Sequence, residues 1–240
     1  MGQKMSSLRI ETLNKKISAL TDLNALFDFL FQQDMGDIAF STSLGQEDQV
    51  ITHHIATHKL PIEIFTLDTG RLFQETYDLL DITQQKFKTP INVFAPNTSE
   101  VEKLVSTKGP NSFYKSVENR KECCGVRKIA PLKRALAGKK IWVTGLRQSQ
   151  SQNRAELDFF SYDAAFDIIK FNPLLHWSLE DVNTYIDHHN VPQNTLHAKG
   201  FVSIGCAPCT RAIEPGEDIR AGRWWWESSK KECGLHSIKS

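Results

Sequence analysis

Short apolar runs alternating with stretches of helical period constrain this chain more than any other feature. Asp37 to Phe40, Ile62 to Leu67, Ile91 to Phe94, Lys140 to Thr144 and Asp167 to Phe171 read as strands. Helical spacing follows in Val50, Ile51 and Ile55, across Phe73 to Phe87, from near Thr98 with Glu100 and Glu102 in the first turn, and from Arg120 to Leu136. Alternation of this kind predicts an α/β fold, a doubly wound and mostly parallel sheet whose ligands sit beyond the C-terminal ends of its strands. Leu8 to Leu20 and Leu23 to Phe31 are expected to be entry helices packed on that domain. Ser178 caps a further helix that buries Leu179, Val182, Tyr185 and Ile186, and His188 and His189 at its end are expected at the surface without a function. Thr107 to Asn111, with Gly109-Pro110, reads as a loop.

Three segments fall on the rim where a ligand would sit. Ser41-Thr42-Ser43-Leu44-Gly45 joins the first strand to its helix, and free backbone N–H groups plus the helix dipole would favour an anion there. An ordinary strand-to-helix turn has the same composition. Asp68-Thr69-Gly70-Arg71 follows the second strand, and Gly145-Leu146-Arg147 follows the fourth, with Arg147 and Arg154 flanking the polar loop from Gln148 to Asn153.

The chain has 5 cysteines. Cys206-Ala207-Pro208-Cys209 sends two sulfurs the same way from a turn, Cys123 and Cys124 are adjacent, and Cys233 stands apart near the C-terminus in Glu232-Cys233-Gly234-Leu235-His236. Four sulfurs for a metal centre and one for chemistry is the division this suggests. A four-cysteine structural zinc site and unrelated buried thiols are the competing readings; adjacent cysteines suit neighbouring irons of a 4Fe-4S cubane better than one tetrahedral ion. Disulfides fit least, because the polar start Met1-Gly2-Gln3-Lys4 has no apolar signal region and a reducing, cytoplasmic location is expected. Around the paired cysteines lie Arg120, Lys121, Arg127, Lys128, Lys133 and Arg134. A basic helix face is ordinarily just solvated, but Lys128 falls roughly on the side of Cys124, where it would steady a negative cluster and an anionic substrate. Trp224-Trp225-Trp226 cannot all share one face, so at least one must pack elsewhere or stay partly exposed while the others latch the tail to the core.

A net charge of +1 gives no reason to expect nucleic acid, and no apolar run approaches the roughly 18 residues of a membrane span. The expected organisation is N-terminal helices over residues 1–35, a nucleotide-binding and iron-sulfur domain over 36–226, and a C-terminal tail over 227–240 carrying Cys233. Ser228 to Lys231 reads as a mobile linker in that tail.

The ordered set of Ser41 to Gly45, Asp68 to Arg71, Cys123-Cys124, Thr144 to Arg147, Cys206 to Arg211, Arg220-Ala221-Gly222-Arg223-Trp224-Trp225-Trp226-Glu227 and Glu232 to His236 resembles the assimilatory adenylyl-sulfate reductases of the phosphoadenylyl-sulfate reductase family. The resemblance implies an adenine nucleotide α-hydrolase-like (Rossmann-like) fold and a thioredoxin-dependent reduction of adenosine 5'-phosphosulfate to sulfite and AMP. It implies a 4Fe-4S cluster on Cys123, Cys124, Cys206 and Cys209, with a positioning and electrostatic role. Cys233 would be the nucleophile, passing through a cysteine S-sulfonate, and His236, Lys128, Arg220 and Arg223 would supply cationic assistance. Ser41, Ser43, Gly45, Asp68, Thr69, Gly70, Arg71, Gly145 and Arg147 would seat the nucleotide. After Arg147 the resemblance calls for a second arginine and an acidic residue; Gln148 and Ser149 stand there. A 3'-phosphoadenylyl-sulfate or dual-substrate reductase, and a zinc-stabilised nucleotide-binding module, are the alternatives. No nucleic-acid or membrane partner is expected, and a homo-oligomer is left open.

Overall fold

The computed structural model describes residues 2–150 and 154–227. Eight α-helices and six strands occur among them, in the order α1 (Gly2–Ile17), α2 (Leu23–Gln32), β1 (Ile38–Thr42), α3 (Gln46–His58), β2 (Glu63–Leu67), α4 (Gln74–Phe87), β3 (Asn92–Phe94), α5 (Thr98–Lys108), α6 (Val117–Cys124), α7 (Ala130–Ala135), β4 (Ile141–Val143), β5 (Phe160–Asp163), β6 (Ile168–Phe171) and α8 (Leu179–His188). The sheet runs β3-β2-β1-β4-β6-β5. β2 with β3, β1 with β4, and β4 with β6 pair parallel, and β5 pairs antiparallel with β6. The strand order reverses between β1 and β4, the place where a doubly wound sheet opens a crevice.

The chain divides into two compact units. The first holds residues 1–42, 46–64 and 136–191. Its core is built from Ala39, Phe40, Ile141, Trp142, Val143 and Phe171 on central strands, covered by Leu26, Phe27 and Leu30 of α2 and by Val50, Ile51 and Ile55 of α3. Parallel strands covered on both faces need such uninterrupted apolar runs. Asn14 of α1 donates to the Phe160 carbonyl and accepts from its N–H, at 2.9 and 2.8 Å, so the outer edge of β5 meets a side-chain amide. Ser178 caps α8 as expected and forms a reciprocal capping box with Asp181; Val182 and Ile186 are buried, but Leu179, expected on the same face, is 42% exposed in the first turn.

The second unit holds residues 43–45, 65–135 and 192–240. Asn97 caps α5, and Ser116 caps α6 by accepting from the Asn119 N–H. The helical stretch expected as continuous from Arg120 to Leu136 is interrupted: after Cys124 the backbone widens into a π-turn over Gly125–Ile129, closed by the Ala130 N–H on the Gly125 carbonyl, before α7 resumes. Such turns recur at functional sites because they re-aim the side chains around them. β5 is the strand that the sequence did not disclose. Among the described residues no helix is long and apolar enough to cross a membrane.

Candidate active site

In the second unit one hollow is lined by Cys123, Cys124, Cys206 and Cys209 together with Arg71, Arg120, Arg127 and Lys128. Each side has a local cause. α6 delivers the adjacent cysteines at its last turn, and the π-turn that follows brings Arg127 and Lys128 to the same lining. The other pair comes from a single 3-10 turn over Ala207–Cys209, where Pro208 suits the start of the turn and the Cys209 N–H closes on the Cys206 carbonyl at 2.9 Å. Thr210 Oγ1 donates to that carbonyl at 3.0 Å and accepts from the Gly205 N–H at 3.2 Å, while the Ala207 N–H reaches the Arg71 carbonyl at 2.8 Å. Tyr114 donates its hydroxyl to the Pro208 carbonyl at 2.7 Å, and the Trp224 N–H reaches the Cys209 carbonyl at 3.2 Å.

Of Asp68 to Arg71 on the rim, Arg71 also lines this hollow, and Thr69 touches one of its cysteines. Thr69 Oγ1 lies 3.2 Å from Cys206 Sγ, Arg127 Nη1 donates to the Thr69 carbonyl at 2.7 Å, and Arg71 lies over the Phe113 ring at 5.0 Å. Asp68 closes the turn by accepting from the Gly70 N–H at 2.7 Å and from the Tyr77 hydroxyl at 2.8 Å. Burial makes two of the thiols, Cys209 and Cys123, reluctant to ionise. It pushes Cys209 up to about 12, with the neighbouring Cys206 adding to the effect and Lys128 and Arg223 opposing it. Cys123 is also raised, again chiefly by burial, against Arg127 and Arg71.

The four cysteines, none of them in a disulfide among the described residues, share a common lining. Among the described residues, no group of three or more His, Cys, Asp or Glu side chains is arranged to hold a metal ion. Sulfurs spread around a hollow suit a bulkier, multi-metal group better than a single tetrahedral ion. Cationic walls suit the net negative charge of a thiolate-bound cluster, and Arg127 keeps a buried Nε–H without a hydrogen-bond partner among the described residues. By donor set and surroundings, the residues fit a 4Fe-4S cluster.

The tail segment after this loop is heavily engaged. Trp224 is 1% exposed with φ +41, a left-handed backbone that a bulky residue rarely adopts, and both Arg120 and Arg223 lie over its rings, at 4.7 and 4.8 Å. Trp225 is 40% exposed, so the tryptophan run divides between core and surface as expected. Arg223 rests directly on Gly205: a Cβ there would come within 2.3 Å of Nη2. Arg220 is half-buried in the preceding turn, its N–H bonded to Asp218 Oδ1 at 2.8 Å. Arg120 grips Glu227 through Nε and Nη2, both at 2.9 Å. The sequence offered Arg120 and Arg127 only as part of a solvated basic face; both are buried. Cys233 and His236 lie outside the described residues, as do Ser228 to Lys231.

In the first unit, the β4 end of the crevice carries Gly145 and Arg147. A Cβ on Gly145 would stand 2.3 Å from Asp48 Oδ1, so only glycine lets this turn meet the first turn of α3. Arg147 is committed to its own unit: Nε and Nη2 reach Glu47 Oε1 at 2.9 and 2.7 Å, and Nη1 reaches the Trp177 carbonyl and Ser149 Oγ. Ser149 thus accepts from Arg147 where an acidic residue was expected, and Gln148 donates to the Leu157 carbonyl at 2.7 Å. At the β1 end, Ser41 is half-buried and accepts from Trp142 Nε1 at 2.8 Å. Leu44, in the turn between β1 and α3 that is counted with the second unit, has φ +62 and is 2% exposed, a strained position of the kind that clusters at ligand sites.

Known proteins share this chain's sequence and fold. The model of the family described as "Phosphoadenosine phosphosulfate reductase domain" matches residues 37–212. An "Adenosine 5'-phosphosulfate reductase" of Agrobacterium fabrum is 52% identical over 84% of this chain and 78% of its own length. One of the same name from Allochromatium vinosum is 49% identical over 98% of this chain and 90% of its own. Among solved structures, a phosphoadenylyl-sulfate (PAPS) reductase from Candida auris, in a phosphate complex, superposes with TM-score 0.73 at 25% identity, covering 85% of this chain and 96% of its own. A yeast FAD synthetase shares the fold at TM-score 0.53 and 15% identity, covering 88% of this chain and 67% of its own. A family match across most of the chain, with relatives near half identity along almost its full length, places this protein in the phosphoadenosine phosphosulfate reductase family.

Proposed function

We propose that this protein reduces adenosine 5'-phosphosulfate to sulfite and AMP in assimilatory sulfate reduction, with reduced thioredoxin as electron donor. The observation that carries this reading is the gathering of Cys123, Cys124, Cys206 and Cys209 around one cationic hollow in a chain whose relatives bear the name adenosine 5'-phosphosulfate reductase. Those four cysteines would hold a 4Fe-4S cluster, which would supply fixed charge and positioning.

The Cys233 thiolate would attack the sulfate sulfur, forming an S–S bond as the S–O bond breaks and AMP leaves with the electron pair. A thioredoxin thiolate would then attack Cys233 Sγ and expel sulfite, and its second thiol would resolve the mixed disulfide, so that the dithiol supplies both electrons. The first step brings one anion onto another, at about 4 kcal/mol per pair for a separation near 4 Å and an effective dielectric near 20. Lys128, Arg220, Arg223 and His236 are proposed to offset that repulsion and the charge on departing AMP. Ser41, Ser43, Gly45, Asp68, Thr69, Gly70, Arg71, Gly145 and Arg147 are proposed to seat the nucleotide. The contacts described above support a positioning part for Arg147, through Glu47, and for Thr69 and Arg71, through the cysteine hollow.

Sulfite release from adenosine 5'-phosphosulfate and from its 3'-phosphorylated form, with thioredoxin supplied, tests the reading. Turnover of the first substrate at least tenfold faster in kcat/KM is expected; sulfite from neither would sink it, and equal turnover would make the enzyme dual-specific. A brown protein absorbing broadly near 400 nm is expected, whereas a colourless one with stoichiometric zinc would exclude the cluster.

A further inference from the structure

The register of the first unit sets a row of unlike side chains across four strands. Ala39 of β1 is opposite Trp142 of β4, Trp142 is opposite Lys170 of β6, and Lys170 is opposite Ser161 of β5. Side chains two residues apart on a strand share a face, so Ser41 lies diagonally from Trp142, and Asp163 diagonally from Lys170. The contacts follow that row. Asp163 pairs with Lys170, Lys170 Nζ lies 4.8 Å from the Trp142 ring centroid, and Trp142 Nε1 donates to Ser41 Oγ at 2.8 Å. Trp142 is 1% and Lys170 7% exposed, so a polar chain runs through an otherwise apolar interior and ends at the half-buried hydroxyl on the crevice rim.

We infer that Trp142 is a positioning residue that fixes the Ser41 hydroxyl as a hydrogen-bond donor toward an anion bound at the β1–α3 turn. An indole N–H can only donate, whereas a serine hydroxyl has one proton and two acceptor lone pairs. With one lone pair held by Trp142 Nε1, the Ser41 oxygen is located and its proton points elsewhere. Accepting one hydrogen bond also strengthens the one that a hydroxyl donates. A donor fixed in advance loses little freedom when a phosphate arrives, and preorganised donors contribute most to anion binding. Ala39, fully buried on the same face, has a side chain small enough to leave room for the indole beside β1. The Lys170 ammonium over the ring, neutralised by Asp163, holds the indole in its plane.

The inference rests on the reading of Ser41 as a phosphate contact given above. AMP is the probe, titrated calorimetrically into the native protein, Ser41→Ala, Trp142→Phe and the double variant. Ser41→Ala is expected to weaken AMP about tenfold, since it removes one hydrogen bond to a charged group. Trp142→Phe keeps the ring and removes only the donor, and it is expected to weaken AMP about fivefold by the same arithmetic. Together they should be no weaker than Ser41→Ala alone, because Trp142 acts through Ser41. Independent, multiplying losses would overturn the positioning role, as would unaltered affinity in Trp142→Phe. A native protein that does not bind AMP would overturn the nucleotide reading and this inference together. Should Trp142→Phe not fold, the nitrogen-15 spectrum decides instead: the indole N–H signal displaced by Ser41→Ala must also move when AMP saturates the native protein, and an unmoved signal refutes the inference.

Discussion

Glu227→Ala isolates the strongest buried charge pair among the described residues of the second unit. Arg120 offers Nε and Nη2 to the two oxygens of Glu227 at 2.9 Å each, with side chains 4% and 5% exposed, and the guanidinium is stacked over Trp224. Removing the carboxylate takes from a buried guanidinium the ion pair made through both Nε and Nη2, a change that costs about 3–5 kcal/mol. Taking a urea m-value of about 3 kcal/mol/M for a chain of this size, the unfolding midpoint should fall by about 1–1.7 M. Tryptophan fluorescence reports the transition directly, because Trp224, Trp225 and Trp226 adjoin the pair in sequence. Replacing both partners, as Arg120→Met with Glu227→Met, should recover at least half of the loss, since neither charge is then stranded. A midpoint shift below about 0.3 M in Glu227→Ala, or a double variant no more stable than the single one, would refute the reasoning.

Serine at Cys123, Cys124, Cys206 or Cys209 should abolish most iron binding and most activity, which iron analysis and sulfite release will check; full iron and full rate in any one variant would remove that residue from the ligand set. Gly145→Ala drives a methyl into Asp48 and should cost about 1–3 kcal/mol in urea unfolding while raising KM for the nucleotide, with a neutral outcome contradicting the close approach. His54 is stacked on Phe27, and burial, then His58 and His53, lower its pKa to about 4 against a small opposing pull from Asp22. Between about pH 6.5 and 4 the unfolded chain therefore binds a proton that the folded one does not, and stability is lost as pH falls, by about 2 kcal/mol at pH 5. His54→Phe should flatten that dependence in urea titrations at pH 7 and pH 5, and an unchanged slope would contradict it.

The sheet was legible because its buried parallel strands are short, largely apolar runs, as in Ile62 to Leu67 and Ile141 to Val143. Phe160-Ser161-Tyr162-Asp163 carried no such signal: it is an edge strand of alternating character, defined by pairing with β6 and by the Asn14 amide. The cysteines could be grouped from spacing, but the π-turn after Cys124 could not be foreseen, since helical period looks the same on either side of it. Arg120 and Arg127 read as surface charge because their partners, Glu227 and the Thr69 carbonyl, are far away in sequence. The pairing of Arg147 with Glu47 was hidden for the same reason, since the two lie a hundred residues apart. Ser41 was visible as a rim residue, whereas Trp142 as its partner depended on strand register.

The most direct test of the proposed chemistry is the mass of the enzyme after mixing with adenosine 5'-phosphosulfate in the absence of thioredoxin. An increase of about one SO3 group is expected, on a peptide containing Cys233 and reversed by reduced thioredoxin with release of sulfite. The Cys233→Ser variant should show no adduct while keeping its iron and its affinity for AMP. An adduct on another cysteine, or sulfite formation by Cys233→Ser at the native rate, would contradict the assignment of Cys233 as nucleophile.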